Sequence, residues 1–303
     1  MSEALLARRV KDLARQRGAL ILAHNYQLGE VQDVADFVGD SLELAQKAAQ
    51  AAADLILFCG VHFMAETAKI VNPDAVVLEP DVRAGCPLAD MLPVEDLCRL
   101  KKQYPEALVV TYINSSAEVK AQSDYCCTSG NALKVVASLD PQRQIIFVPD
   151  ASLGEYVSER LGRDLILWQG YCPTHHRITP EDMREARRLH PKAAVVVHPE
   201  CTSGVRALAD EVTSTSGIIR YLAKTDYEEY IIGTENGMLH RLQQQFPEKK
   251  LHYVTTLAVC PNMKLNTLEK MLWSLEDTKY EVIVPEETAR KARLALERML
   301  QLV

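Results

Sequence analysis

The sequence predicts an α/β protein of three similar parallel-sheet units around a pseudo-threefold axis, with the active site at their junction. Three periodic features predict it. Cys86, Cys172 and Cys260 are each followed directly by proline, no other cysteine is, and they lie 86 and 88 residues apart. With 8 cysteines and 14 prolines in 303 residues, chance gives about 0.4 such pairs, so three at near-equal spacing mark an internal repeat. The apolar runs "ALILAHNY" from Ala19, "ALVVTYIN" from Ala107 and "AAVVVHPE" from Ala193 start 88 and 86 residues apart. Helix starts recur too, in "GDSLELAQKAA", "CTSGNALKVVA" and "TSTSGIIRYLA", with Ser41, Ser129 and Ser216 aligned 88 and 87 residues apart.

Each element follows from its local chemistry. The runs from Ala19, Ala107 and Ala193 are rich in aliphatic and β-branched residues, the mark of strands buried on both faces. They end in polar residues at matching places: His24, Tyr112 and His198, then Tyr26, Asn114 and Glu200 two positions on. Small hydroxyl residues at the helix starts suit the capping of unpaired backbone N–H groups. A middle strand turning into a helix follows, in "DLILFCGVHFMAETAKI", "QIIFVPDASLGEYVSERLG" and "EYIIGTENGMLHRLQQQFP". A third strand leads into Cys-Pro, in "AVVLEP…GCP", "LILWQGYCP" and "LHYVTTLAVCP", and helices such as "TPEDMREARRLHP" deliver the chain to the next unit. Such alternation implies parallel sheets with right-handed crossovers. The units are expected at 1–98 with the N-terminal helix, 99–186, and 187–303 with the C-terminal helix.

Composition narrows the function. A chain 48% hydrophobic and 25% charged builds an ordinary globular core. A net charge of -7 argues against a nucleic-acid partner. The start "MSEALLARRVKDLARQRG" lacks a signal peptide's apolar core, and no apolar run reaches the roughly 18 residues of a membrane helix. A cytoplasmic location is the expectation, and there cysteines stay reduced. Cys59 and Cys98 read as small core residues, and the adjacent Cys126 and Cys127 suit a disulfide poorly.

Ligands of open parallel sheets gather at the carboxyl ends of strands. If the three units turn those ends inward, three cysteines converge on one cavity with the polar strand ends. Three thiolates leave one iron of a cubane cluster open to substrate. His175, in a Cys-x-x-His spacing, could instead close a zinc site, and spacing alone leaves both readings open. His62, His176, His240 and His252 lack support from the repeat and read as structural. Cys201, directly after Glu200, would as a fourth ligand close the open iron.

The stretches "LAHNYQ", "DFVGDSLELA", "AGCPLADM", "TYINSSAEVKA", "CTSGNAL", "GYCPTHHRI", "VHPEC", "TENGMLHRL" and "VCPNMKLNTLEK" together resemble the quinolinate synthase family, in order from about Ala19 to Lys270. The resemblance implies three α/β domains in a triangle with one 4Fe-4S cluster bound by Cys86, Cys172 and Cys260. It implies condensation of iminoaspartate with dihydroxyacetone phosphate to quinolinate, with loss of phosphate and water, for NAD biosynthesis. The enzyme that supplies iminoaspartate is then a transient partner. Carried over by motif, substrate contacts fall on His24, Ser41, Tyr112, Asn114, Ser129, His198, Glu200 and Thr215, with Tyr26 beside them and Ile113 and Pro199 inside the binding stretches. Gly130 stands where other members often have serine, and the family's additional C-terminal cysteine segment does not follow Cys260.

Chemically, hydroxyls at helix starts receive anions. His24 and His198 are expected to donate hydrogen bonds and to add positive charge when protonated. Glu200 is the expected general acid and base, with Tyr26, Tyr112 and His198 as further catalytic candidates. The alternative is a zinc-dependent hydrolase or lyase of a small phosphorylated substrate.

Overall fold

The computed structural model describes residues 2–302. The first sheet holds β1 (Ala19–His24), β2 (Phe37–Gly39), β3 (Leu55–Cys59) and β4 (Val76–Leu78). The second holds β5 (Leu108–Tyr112), β6 (Tyr125–Cys127), β7 (Ile145–Val148) and β8 (Ile166–Leu167), and the third β9 (Ala194–Val197), β10 (Glu211–Val212), β11 (Glu229–Gly233) and β12 (Lys250–Tyr253). All pairings are parallel, and the order is the same in each: β2-β1-β3-β4, β6-β5-β7-β8 and β10-β9-β11-β12. The expected α/β architecture of three similar units is therefore present.

Four strands per unit replace the three read from sequence. The additional ones, β2, β6 and β10, are two or three residues long and hydrogen-bonded on one side only, too short for a periodic signal. An aspartate fixes each of them. The Asp36, Asp124 and Asp210 carboxylates accept from the backbone N–H of Ile21, Val109 and Val195 at 2.7, 2.8 and 2.7 Å. In return their own N–H groups donate to the carbonyls of those same residues. The three aspartates thus clamp the edge strand to the first strand at one register in every unit.

Alternation along the central strands explains their unbroken apolar sequence. Leu22, Phe58, Val110, Phe147, Val196 and Ile232 share one core fed by all three sheets. Their neighbours face outward into separate layers: Ile21 and Leu57 in one, Val109 and Ile146 in a second, Val195 and Ile231 in a third. Burial of side chains this size stabilises by about 1.5–3 kcal/mol each.

The tail beyond the third sheet is built into the first and second units. Helix Leu268–Asp277 packs on helix Glu3–Arg17, and Glu281 bridges antiparallel to Leu78 at the edge of the first sheet. Helix Glu286–Gln301 packs on helices Ala117–Ala121 and His62–Val71, with Arg293 Nε donating to the Ile70 carbonyl at 2.9 Å. This interlock ties the three carboxyl edges around one space. No helix among the described residues is long and apolar enough to cross a membrane.

Candidate active site

The carboxyl ends of β1, β5 and β9 open on one cavity of about 190 Å³, large enough for several waters or a small organic acid. His24 ends β1, Tyr112 ends β5 and His198 follows β9. In the first and third units the histidine ring is held by the same device. His24 Nδ1 accepts from the Tyr26 backbone N–H at 3.2 Å, and His198 Nδ1 from that of Glu200 at 3.3 Å. An accepting Nδ1 leaves the proton on Nε2. For His198 that nitrogen meets the Ser129 hydroxyl of the second unit at 3.1 Å. Burial, with nearby positive groups, lowers His24 to about 3, and burial likewise lowers His198 to about 3. Both are therefore neutral N–H donors at physiological pH, which leaves hydrogen-bond donation as their contribution.

The helix starts also differ from the sequence reading. Asp40 and Ser214 are the caps of helices Ser41–Ala49 and Thr215–Lys224. Asp40 forms a full capping box with Glu43. Ser41 and Thr215 are the first helical residues, so their hydroxyls are released from capping and line the cavity. The equivalent of Ser41 and Ser129 is Thr215, not Ser216, which restores the 88 and 86 residue spacing of the strands. Ser129 lies upstream of helix Ala132–Ala137 and caps nothing.

Glu200 is the hub between units. Its side chain is 3% exposed, so a carboxylate here needs partners. Oε2 lies 2.6 Å from His175 Nδ1, and Oε1 accepts from the Tyr112 hydroxyl. Burial works to raise this carboxyl, yet His175 at Oε2 and the Tyr112 hydroxyl at Oε1 outweigh it and hold it below the ordinary carboxylate range. The chain of contacts continues from His175 Nε2 to Thr234 Oγ1 at 2.9 Å and from there to the Tyr26 hydroxyl at 2.6 Å. Tyr26 and Tyr112 stay neutral, raised by burial and by the Glu200 charge.

The Cys-Pro dipeptides acquire a physical reason. Cys86 and Cys172 precede one-turn helices Pro87–Asp90 and Pro173–His176, with proline at the first position, where the missing N–H costs nothing. The next amides turn back on the sulfur: those of Ala89 and Leu88 on Cys86, of His175 on Cys172, and of Met263 and Asn262 on Cys260. The loops are also tied together, through Asn262 Nδ2 to the Gly85 carbonyl at 2.7 Å and Thr174 to Cys260. Burial pushes the Cys86 thiol up to about 12 and raises Cys172 and Cys260. Three half-buried thiols lining one cavity, each facing backbone donors ready for a thiolate, fit a soft metal centre. His175 already engages Glu200 and Thr234 through its two ring nitrogens.

The profile of the family described as quinolinate synthetase A protein matches residues 8–301. The chain belongs to this family. A quinolinate synthase of Dehalococcoides mccartyi is 53% identical over 303 residues, covering all of both chains. One of Thermodesulfovibrio yellowstonii is 51% identical over 292 residues, 96% of each chain. One of Methanosarcina barkeri is 50% identical over 300 residues, 99% of this chain and 98% of its own. The family is one of NAD-biosynthetic enzymes acting on small molecules, and membership overturns the zinc hydrolase or lyase alternative.

Of the fourteen residues that the family resemblance and the repeat single out, twelve line the cavity: the three cysteines, His24, Tyr26, Ser41, Tyr112, Asn114, Ser129, His198, Glu200 and Thr215. Ile113 and Pro199 are buried and do not reach its wall. Cys201 is fully buried, with Sγ 3.5 Å from the Gly233 carbonyl, and Cys126 and Cys127 are buried and free. His176 pairs with Ser152, and His62 with Glu79.

Sequence reasoning passed over Thr234, Arg177 and Asp40. Thr234 directly follows β11 and links Tyr26 to His175, a role visible only once the three units are packed together. Arg177 lines the cavity from the "YCPTHHR" stretch itself, and Asp40 from the cap of helix Ser41–Ala49.

Proposed function

We propose that this family member condenses iminoaspartate with dihydroxyacetone phosphate to quinolinate, releasing phosphate and water, with one 4Fe-4S cluster on Cys86, Cys172 and Cys260. The observation that carries this reading is the cavity itself, which is lined by the cysteines of three Cys-Pro loops from three units together with a buried carboxylate. When bound, the cluster offers an iron without a protein ligand as a Lewis acid toward a departing hydroxyl. The chain's own residues do the rest.

Glu200 is held ionised and can take a proton from carbon. Tyr112 and His175 touch its two oxygens and can pass that proton on, and Thr234 and Tyr26 extend the path. Neutral Nε2–H groups of His24 and His198 can bind carboxylate oxygens without the cost of a buried cation. Ser41 and Thr215 open helices of nine and ten residues, whose positive ends favour the substrate's carboxylates and phosphate. Asn114 carries a buried amide oxygen with no partner among the described residues, an acceptor suited to an imine or enamine N–H. Ile113 and Pro199 act through backbone shape.

The proposed division into units 1–98, 99–186 and 187–303 follows the repeat. Eight free cysteines suit a reducing compartment, and the cytoplasm is the proposed location, where the enzyme that makes iminoaspartate would be a transient partner. The test is anaerobic turnover: cluster-loaded protein given iminoaspartate generated in place and dihydroxyacetone phosphate should form quinolinate. Intact cluster with no quinolinate formed would contradict the proposal.

A further inference from the structure

We propose that His190, Glu229 and His252 form a second metal site, for a divalent transition-metal ion of the zinc type, on the third unit. Glu229 opens β11 and His190 precedes β9, so the site sits at the amino-terminal edge of the sheet, across from the cavity.

The distances argue for shared ligation over hydrogen bonding. His252 Nε2 lies 3.6 Å and His190 Nδ1 3.9 Å from the same carboxylate oxygen, Glu229 Oε2. At those separations neither contact is a hydrogen bond. His252 Nε2 is nevertheless buried and has no hydrogen-bond partner among the described residues, a feature that calls for an explanation. Two ligand atoms on one ion, each bonded at about 2.1 Å and spread tetrahedrally or trigonally, stand about 3.4–3.6 Å apart. The three candidate atoms lie within 4.8 Å of one another. The imidazoles stack with centroids 3.5 Å apart and 14° between planes, so each ring must tilt out of the stack to aim its lone pair at a shared ion.

Neighbouring contacts orient the three side chains. Glu229 Oε1 accepts from Lys250 Nζ at 3.0 Å, which leaves Oε2 available. His252 stands beside Ile231 in the β11–β12 register, on the face that carries Glu229 two residues earlier. His190 ends helix Pro180–Leu189, with its N–H bonded to the Ala186 carbonyl at 2.9 Å. A surface cavity lined by Leu189, Tyr253 and Thr255 adjoins the two histidines, with room for water on the remaining coordination positions.

Two imidazoles and one carboxylate select zinc or ferrous iron over magnesium or calcium, which take oxygen donors. An ion here joins a helix end to two strands and stabilises the third unit by mass action. The site is independent of the cysteines and of the proposed reaction.

The test uses the cluster-loaded protein under anaerobic conditions, with the cluster absorption followed throughout. Zinc chloride is added in slight excess, the protein is desalted, and bound zinc is measured by elemental analysis, with magnesium chloride as the control cation. The wild-type protein should keep one zinc per chain and gain thermal stability from zinc but not from magnesium. His190→Ala and the near-isosteric Glu229→Gln should each bind zinc about tenfold or more weakly and lose the zinc-dependent rise in melting temperature. Folding of both variants is read from an unchanged cluster spectrum. Equal zinc retention in wild type and both variants would overturn the site, as would failure of the wild-type protein to retain zinc.

Discussion

The first and third units end their leading strands with the same device and different chemistry. His24 and His198 each take the backbone N–H two residues on, so both rings are fixed as neutral Nε2–H donors. What stands at that second residue separates them. Tyr26 reaches Thr234 and stays an uncharged hydroxyl, whereas Glu200 meets Tyr112 and His175 and is held ionised. The repeat therefore supplies positions, and contacts across unit boundaries supply the roles. The second unit shows the same in reverse: Tyr112 occupies the histidine position and serves as a partner to Glu200 of its neighbour.

Breaking the comparison at its charged member should have the largest effect. Glu200→Gln preserves shape and removes the acceptor charge, so turnover should fall by about 100-fold or more with the cluster spectrum unchanged. Tyr26→Phe removes only the hydroxyl beyond Thr234 and should cost about tenfold in the same anaerobic assay. Equal losses would mean that the two positions are not differentiated as argued. A smaller effect sharpens the comparison at the helix starts. Asp40→Ala removes a full capping box and should lower stability by about 1 kcal/mol in a denaturant titration, more than Ser214→Ala with its single contact.

The repeat made much of this legible in the sequence. Cys-Pro spacing and strand starts bring out three units and one inward edge, because parallel strands buried on both faces must be apolar throughout. The edge strands β2, β6 and β10 escaped, since two or three residues carry no periodicity; their signature is an aspartate at 36, 124 and 210. The capping roles were misread by one or two residues because the register of a helix start depends on φ/ψ and not on the identity of a hydroxyl. Protonation was beyond the sequence altogether. Whether His24 carries charge depends on how deeply it is buried, and burial is a property of packing.

The central claim is that three cysteines from three units hold one iron-sulfur cluster, and an iron and sulfide count tests it most directly. Anaerobically purified protein should be brown, absorb broadly near about 400 nm and contain about four irons per chain, and Cys172→Ala should lose iron and activity together. Colourless wild-type protein with zinc bound by the three cysteines and no iron would contradict the account.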